Sequence, residues 1–558
     1  MQRESTKVPC REACPAGVDV PRYLRLIVAG RYAEALAVIR ESIPFPAVCG
    51  YVCPGPCQVQ CHLAHLADAP EAIRILKRFV ADRAPGTGER PHQAPPTGKR
   101  VAVVGSGPAG LTAAYYLARQ GHEPTVFEVL PEPGGMMRTG IPAYRLPPDV
   151  LRADIERIAG SGVEIKTDTR IESLDRLFEE GFHAVFIAVG AHRGARMAID
   201  GERSPGVIDA LTFLRDVSLG APPAVGESVV IVGGGNSAVD ASRTALRLGA
   251  RDVTIVYRRT RKEMRAYPEE ITEALREGVN IVFLAAPHRI SVENGRLRMV
   301  CLRTEAGSAD SSAPPRPIAG SEFNLEAQTV IAAVGQEPEI PPGFPVSLKG
   351  RTILTAPDSM ATSKPGVFAG ADCVTGPSSV IEAIAAGKRA AAAIDRYLGG
   401  SGAIEERLTE PADVMTPAAS LYPPRTAVRE EVPLLSVAER FSGFPLVELP
   451  LSPEAAAGEA DRCLKCDLPI LVEEAKCRSC FVCQLVCSLK FEGAFNPSKA
   501  AITILPVMQG SGSAHVGISF EDKCDGCGLC VRYCPFGALM RGAPAGCAAD
   551  RRNENRAV

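Results

Sequence analysis

The 558-residue chain has no surplus of charge, no long apolar run and no export signal, and each absence removes a class of function. A net charge of −2 offers nothing to nucleic acid or to an anionic membrane surface. No apolar stretch approaches the roughly 18 residues that a bilayer span requires. Met1–Lys7 lacks the hydrophobic core of a signal peptide. A soluble, cytoplasmic chain of several domains is expected, because single cores stop growing near about 250–300 residues. The sequence also lacks anything resembling a molybdopterin site, an amidotransferase nucleophile or a pocket for an organic acceptor. No catalytic side chain is expected.

What the chain has in excess is cysteine, 19 in all. Six fall in residues 10–61 and ten in 463–534, at metal-ligand spacing rather than in a disulfide framework. Cys10-x3-Cys14-Pro precedes a helical pattern over Tyr23–Ile39, and Cys49-x3-Cys53-Pro-x2-Cys57-x3-Cys61 precedes another over Ala69–Ala81. Spacing by three, with proline after two of the cysteines, suits iron–sulfur ligation better than the paired Cys-x2-Cys units of structural zinc. Six thiols are two short of two cubanes. Cys477-x2-Cys480-x2-Cys483-x3-Cys487 and Cys524-x2-Cys527-x2-Cys530-x3-Cys534-Pro follow the bacterial ferredoxin spacing. There the fourth cysteine of each run ligates the other cluster. Cys477, Cys480, Cys483 and Cys534 form one expected set, and Cys524, Cys527, Cys530 and Cys487 the other. Cys301, Cys373 and Cys547 need no chemistry, the last lying in a polar tail expected to be disordered.

Between the cysteine groups lie two nucleotide motifs. The apolar run Val101–Val104 enters Gly105-x-Gly107-Pro108-Ala109-Gly110 and then a helical pattern, Leu111–Arg119. Glycines let backbone approach a pyrophosphate, and the helix start holds its charge. The next strand ends at Glu128, where a ribose-binding acid belongs. The second motif, Gly233-Gly-Gly235-Asn236-Ser237-Ala238, follows Val229–Val232. Its second strand ends in Arg258-Arg259 rather than an acid, which favours a 2′-phosphate and so NADPH over NADH; a solvated strand end is the alternative. Gly370-Ala-Asp372 after a strand suits a carboxylate on a flavin's ribityl chain.

These motifs, with Gly134-Gly135-Met-Met-Arg-Thr-Gly-Ile-Pro and Val256-Tyr-Arg-Arg, make residues 1–467 resemble the small (beta) subunit of NADPH-dependent glutamate synthase and its relatives. The resemblance implies FAD at the first motif, NADPH (or NADH) at the second, and two [4Fe-4S] clusters in an N-terminal helical domain. Gly135, Arg145, Gly190 and Gly335 join the candidate cofactor contacts. Relatives usually open with an Arg-Cys-x2-Cys pair that this chain begins too late to hold. Arg462-Cys463-x2-Cys466 looks like that pair moved behind the flavin domain, bringing six thiols to eight; the alternative places it in a separate C-terminal site. Cys483–Ser498 resembles electron-transfer subunits that serve tungsten aldehyde oxidoreductases and related complexes.

The expected architecture is therefore multidomain: a helical [4Fe-4S] domain (1–97), two nested α/β Rossmann-type domains (FAD, 98–225 and 326–400; NAD(P)H, 226–325), an extended strap (401–467), a ferredoxin-like α+β module (468–545) and a tail (546–558). Four [4Fe-4S] clusters are expected. The expected role is electron transfer between NAD(P)H and a partner, such as a tungsten or molybdenum aldehyde oxidoreductase or a ferredoxin. The alternatives are a glutamate synthase small subunit and a redox-sensing scaffold without turnover.

Overall fold

The computed structural model describes residues 2–3, 8–66, 69–84, 93–305, 315–405, 407–409, 428–508 and 514–542; Cys547 lies outside them. The chain divides into two units. One comprises Met1–Glu89, Glu405–Pro433 and Pro450–Val558, and the other Arg90–Ile404 with Leu434–Leu449. No helix among the described residues is long and apolar enough to cross a membrane.

The second unit holds two parallel five-stranded sheets. In the first, Arg100–Val104 lies between Glu123–Phe127 and Ala184–Ile187, with Glu164–Lys166 and Val367–Ala369 at the edges. Its central residues, Val101–Val104 and Ala184–Ile187, are continuous buried apolar runs, as strands covered on both faces demand, whereas the edge strand Glu164–Lys166 is largely exposed. In the other, Ser228–Val232 lies between Asp252–Tyr257 and Thr329–Ala332, with Asn280–Phe283 and Val207–Asp209 outermost. This sheet therefore extends past both ends of the span 226–325. Short antiparallel strands, Arg193–Gly194 and Gln336–Glu337, pair where the chain enters and leaves it. An antiparallel meander, Ala285–Glu293, Arg296–Arg303 and Phe323–Ala327, buries Cys301 in its packing.

The first unit is helical at its start. The pattern over Tyr23–Ile39 forms two helices, Val20–Val28 and Tyr32–Arg40, because Gly30 takes φ +70° between them. Helices Pro46–Val52 and Ile73–Arg83 follow. The region 401–467 is not extended throughout: Pro453–Asp461 is a helix capped by Ser452. Glu459 on it accepts from the Ala72 amide (2.8 Å) and from Arg462 (2.7 Å), and Arg462 donates to the Ala69 carbonyl (2.6 Å). Gln2–Arg3, Ile470–Val472 and Leu539–Arg541 form one antiparallel sheet. The long gap between the two ferredoxin runs contains a hairpin, Ile502–Met508 with Ala514–Phe520.

Segment Leu434–Leu449 belongs to the second unit and is held there by charge. Arg440 donates to Glu273 (2.7 Å) and Glu277 (3.1 Å). Glu277 also accepts from Arg243 (2.7 and 3.0 Å) and Arg247 (2.7 and 3.0 Å). Burial alone would raise the Glu277 carboxyl, but these guanidinium hydrogen bonds outweigh it and hold it at about 2. Glu277→Gln is expected to destabilise the chain by about 3–5 kcal/mol in denaturant unfolding, because buried arginines lose their counter-charge. The folded pKa lies below the usual 4.5, so this contribution is complete above about 4.5 and disappears as pH falls towards 2. The variant's deficit should shrink over that window.

Candidate cofactor sites

Both nucleotide motifs are built alike. Gly105 takes φ +109° with a virtual Cβ 2.5 Å from the Ala188 carbonyl oxygen, and Gly233 takes φ +147° with one 2.2 Å from that of Ala333. No side chain fits at either turn. The helices Pro108–Arg119 and Asn236–Arg247 then start from Gly107 and Gly235, neither with a side-chain cap and both facing open space. Their first amides, those of Ala109 and Gly110 and of Asn236 and Ser237, have no carbonyl a turn earlier to bond. Each start is a cradle for phosphate.

Around the first cradle, Glu128 accepts from the Ser106 amide (3.0 Å) and hydroxyl (2.5 Å) and from the Leu130 amide (2.9 Å). The carboxylate is thereby fixed at the strand end. The Gly135 turn packs onto Gly107, a Cβ there falling 2.7 Å from the Gly107 Cα. Asp372 accepts from the Ser378 amide (3.1 Å) and hydroxyl (2.9 Å) through one oxygen. The other accepts nothing among the described residues, and burial raises the carboxyl. The Gly370 amide donates to Ile187 (3.2 Å) at the sheet edge. Gly190 (φ +68°) lies near the His192 ring, and the Gly335 carbonyl accepts from Ala195 (3.0 Å) beside the paired crossing strands. Uncapped amides, a positioned acid and an acceptor with a free lone pair fit a flavin dinucleotide.

Arg145 lies elsewhere. It pairs with Asp240 (2.8 Å) and Glu270 (3.0 Å), so its guanidinium is spent on the helices of the second sheet rather than on a cofactor. The sequence signal, a lone arginine in a Gly-rich loop, does not reveal partners of which the nearer in sequence is 95 residues away.

At the second cradle, Asn236 accepts from the Tyr267 amide (3.0 Å) and Ser237 from Gln336 (3.1 Å), while Ala238 is fully buried. The Gly234 carbonyl accepts from the Arg265 and Ala266 amides (3.0 and 3.1 Å), folding the basic loop against the turn. Arg258 is exposed and forms no ion pair among the described residues; Arg259 pairs with Glu263 (3.3 Å). Arg261, Lys262 and Arg265 are exposed beside them. This loop presents positive charge beside the second cradle.

The thiols fall into four groups within the first unit. Burial pushes Cys10 up, and the neighbouring Cys463, Cys466, Cys61 and Cys57 push it further. Lys77 is flanked by Cys53, Cys49, Cys57 and Cys14. Burial takes Cys483 to about 12, with Cys480, Cys534 and Cys477 adding to the rise; these four also line one cavity with Phe481 and Pro535. Cys524 acts on both Cys487 and Cys530, and Cys527 on Cys530. Among the described residues no three potential ligands converge tightly enough for a single metal ion. A cubane binds each thiolate at a different iron, so wider spacing is what it requires.

The loops carrying these thiols share one unusual backbone state. Lys465 (φ +52°), Ser479 (φ +51°) and Gly526 (φ +70°) each stand two residues after the first cysteine of a Cys-x2-Cys unit. Phe481 (φ +58°) and Gly528 (φ +79°) match one another after the second cysteine of each ferredoxin run. At Cys463 the turn aims an amide at sulfur, Lys465 N donating to Sγ (3.4 Å); Cys487 Sγ accepts instead from Ala501 N (3.1 Å), 14 residues further along the chain. Left-handed backbone at Lys, Ser and Phe costs of order 1–3 kcal/mol each, which is characteristic of ligand clamps. Cys373 is different. It is fully buried, which pushes its thiol up to about 12, and it donates to the Gly370 and Ile187 carbonyls (3.2 and 3.5 Å), as a packing residue does.

Residues missed by sequence reasoning join these groups. Arg25 pairs with Asp467 beside Cys466 (2.7 Å). The buried Arg541 donates to the carbonyls of Leu464 (2.9 Å), Leu468 (2.7 Å) and Gly526 (2.9 Å), tying the Cys463–Cys466 loop to the second ferredoxin run. Cys61 and Cys466 pack with Cys527 against Leu63, Leu464, Val486 and Leu529.

Three family models match successive parts of this chain. The pyridine nucleotide-disulphide oxidoreductase family matches residues 99–387, dihydropyrimidine dehydrogenase domain II (4Fe-4S cluster) residues 4–88, and the 4Fe-4S binding domain residues 519–540. The chain is 40% identical over 500 residues to the NADP(+)-dependent formate dehydrogenase subunit beta of Moorella thermoacetica, covering 82% of this chain and 70% of that one. It is 39% identical over 518 residues to the NADPH-Fe(3+) oxidoreductase subunit beta of Geobacter sulfurreducens, covering 82% and 75%. Identity to the glutamate synthase [NADPH] small chain of Escherichia coli is 36% over 422 residues, covering 70% and 88%. The chain belongs to the pyridine nucleotide-disulphide oxidoreductase family, in the branch that carries 4Fe-4S domains.

Proposed function

We propose that the chain is the electron-transfer subunit of a larger oxidoreductase, moving electrons between NADPH and a partner through FAD and four [4Fe-4S] clusters. The carrying observation is the presence in one chain of two open phosphate cradles and four groups of four thiols, all buried or half-buried except Cys480. A bound flavin accepts the two electrons of a hydride and passes them on singly, which is what joins nicotinamide to clusters.

The chain's own residues bind and orient. The amides of Ala109 and Gly110 hold the flavin pyrophosphate, Glu128 its ribose and Asp372 its ribityl chain. Asn236, Ser237 and the turn Gly233–Gly235 hold the nicotinamide dinucleotide, and Arg258 its 2′-phosphate. Cys10, Cys61, Cys463 and Cys466 hold one cluster, and Cys14, Cys49, Cys53 and Cys57 another. Cys524, Cys527, Cys530 and Cys487 hold a third. Packing of Cys61 and Cys466 against Cys527, with Cys466 Sγ 3.5 Å from the Cys527 carbonyl oxygen, supports direct passage between the first and third. Cys477, Cys480, Cys483 and Cys534 hold the fourth. Cys480 is exposed, with Phe481 and Phe536 beside it, which supports the fourth cluster as the outlet. The partner is a separate oxidoreductase subunit. A formate-oxidising or Fe(III)-reducing subunit is supported by the relatives' names, and an aldehyde oxidoreductase by the likeness of Cys483–Ser498.

Anaerobically purified protein should carry about 16 iron atoms per chain, four per cubane, and its flavin should be bleached by NADPH; a flavin that neither NADPH nor NADH reduces would sink the proposal. Cys463→Ser should abolish the signal of an N-terminal cluster and spare both ferredoxin-type signals. Arg258→Ala should raise KM for NADPH roughly 10-fold or more and leave that for NADH nearly unchanged, since a hydrogen bond to a charged group contributes about 1.5–3 kcal/mol.

A further inference from the structure

Lys77, on the helix Ile73–Arg83, is 3% exposed. A buried ammonium is costly unless negative charge faces it. No carboxylate pairs with Lys77 among the described residues, and its charged neighbours are engaged elsewhere. Arg78 pairs with Asp82 (3.3 Å) and lies over the Tyr51 ring, while Arg74 donates to the Gly50 and Tyr51 carbonyls (3.3 and 3.0 Å). What faces Lys77 is sulfur, from Cys53, Cys49, Cys57 and Cys14. In turn, Lys77 is the cation that opposes the rise of the Cys57 thiol.

The arrangement has a backbone cause. Helix Pro46–Val52 crosses Ile73–Arg83 so closely at Gly50 that a Cβ there would lie 2.5 Å from the Arg78 Cα. Cys49 and Lys77 immediately precede the two residues in contact. A side chain at Gly50 would part the helices and draw the ammonium away from the thiols.

The other N-terminal group has no such cation. Glu71 beside Cys463 and Cys61 is buried at 2% exposure, neither of its carboxyl oxygens is hydrogen-bonded among the described residues, and burial holds its carboxyl well above the ordinary range. The cations nearby are spent: Arg462 pairs with Glu459, and Arg541 donates to three carbonyls.

We propose that Lys77 sets the one-electron potential of the Cys14–Cys49–Cys53–Cys57 site and makes it the higher-potential member of the N-terminal pair. This rests on the reading that the site holds a [4Fe-4S] cluster. Reduction adds one electron, supplied by NADPH through the flavin, and no atom is gained or lost. The thiolate-bound core becomes more negative by one charge, and a fixed cation in a low-dielectric interior stabilises that state over the oxidised one.

The test is a dye-mediated potentiometric titration of the anaerobic full-length protein, followed by electron paramagnetic resonance. Cys53→Ser identifies the cluster by the signal it removes. Lys77→Met, close in volume and uncharged, should move that cluster alone to lower potential, and Lys77→Arg should stay near wild type. A cluster present at unchanged potential in Lys77→Met overturns the inference. So does a potential that falls equally in Lys77→Arg, or a Lys77→Met protein that cannot hold the cluster, since either assigns Lys77 a packing role. If Cys53→Ser removes no signal, the site reading itself falls, and the inference with it.

Discussion

A thiol buried away from water resists ionisation, and a group of four resists it more, because each thiolate formed disfavours the next. Cys10 shows both effects at once, raised first by burial and then by Cys463, Cys466, Cys61 and Cys57. Only positive charge delivered among the sulfurs can balance such a group, which is what an iron core supplies. The surrounding framework works to bring distant thiols to that point. Arg25 reaches Asp467, Glu459 reaches the Ala72 amide, and Arg541 clasps three carbonyls, one inside the Cys463–Cys466 loop, one just after it and one in the second ferredoxin run. None of these contacts touches a sulfur, yet each fixes where one lies.

The second unit solves a different problem with different means. Two sheets carrying the same strand–turn–helix cradle must be joined without filling either cradle. The joint is ionic and buried: Arg145 with Asp240 and Glu270, Glu270 with Arg243, and Arg243 with Glu277, which also receives Arg247 and Arg440. Such networks add little net stability compared with apolar packing, but a partner left alone is heavily penalised. Geometry is what they enforce. Segment Leu434–Leu449 enters that network through Arg440 and so has one place to lie.

Local features were legible in the residues, and tertiary ones were not. Both cradles, their strands and their helices could be read from apolar runs meeting glycine, because the chemistry and its spacing lie within a dozen residues. The ferredoxin runs were legible for the same reason, and Gly526 and Gly528 advertise the left-handed turns that Ser479 and Phe481 adopt without any such sign. Counting thiols pointed to the return of Cys463 and Cys466, and in the structure they are neighbours of Cys10. By contrast, the strand Val207–Asp209 was missed because its three residues carry no period of their own. Arg145 was read as a cofactor contact because its partners are remote in sequence. Lys77 and Glu71 gave no signal, since a lysine or glutamate on an amphipathic helix ordinarily faces water.

The position of Cys463 and Cys466 also orders events in time. Helices Val20–Val28 and Ile73–Arg83 leave the ribosome early, but the thiols that complete the group around Cys10 and Cys61 emerge only after the whole flavin and nicotinamide region has been made. At typical synthesis rates that interval is on the order of tens of seconds. Throughout it, the N-terminal segment has its own four-thiol set in Cys14, Cys49, Cys53 and Cys57 but only half of the other. On the proposed ligand sets, the first would be complete before the chain is finished, whereas the second would have to wait for it. A chain truncated anywhere before residue 466 is therefore marked as incomplete at its opposite end.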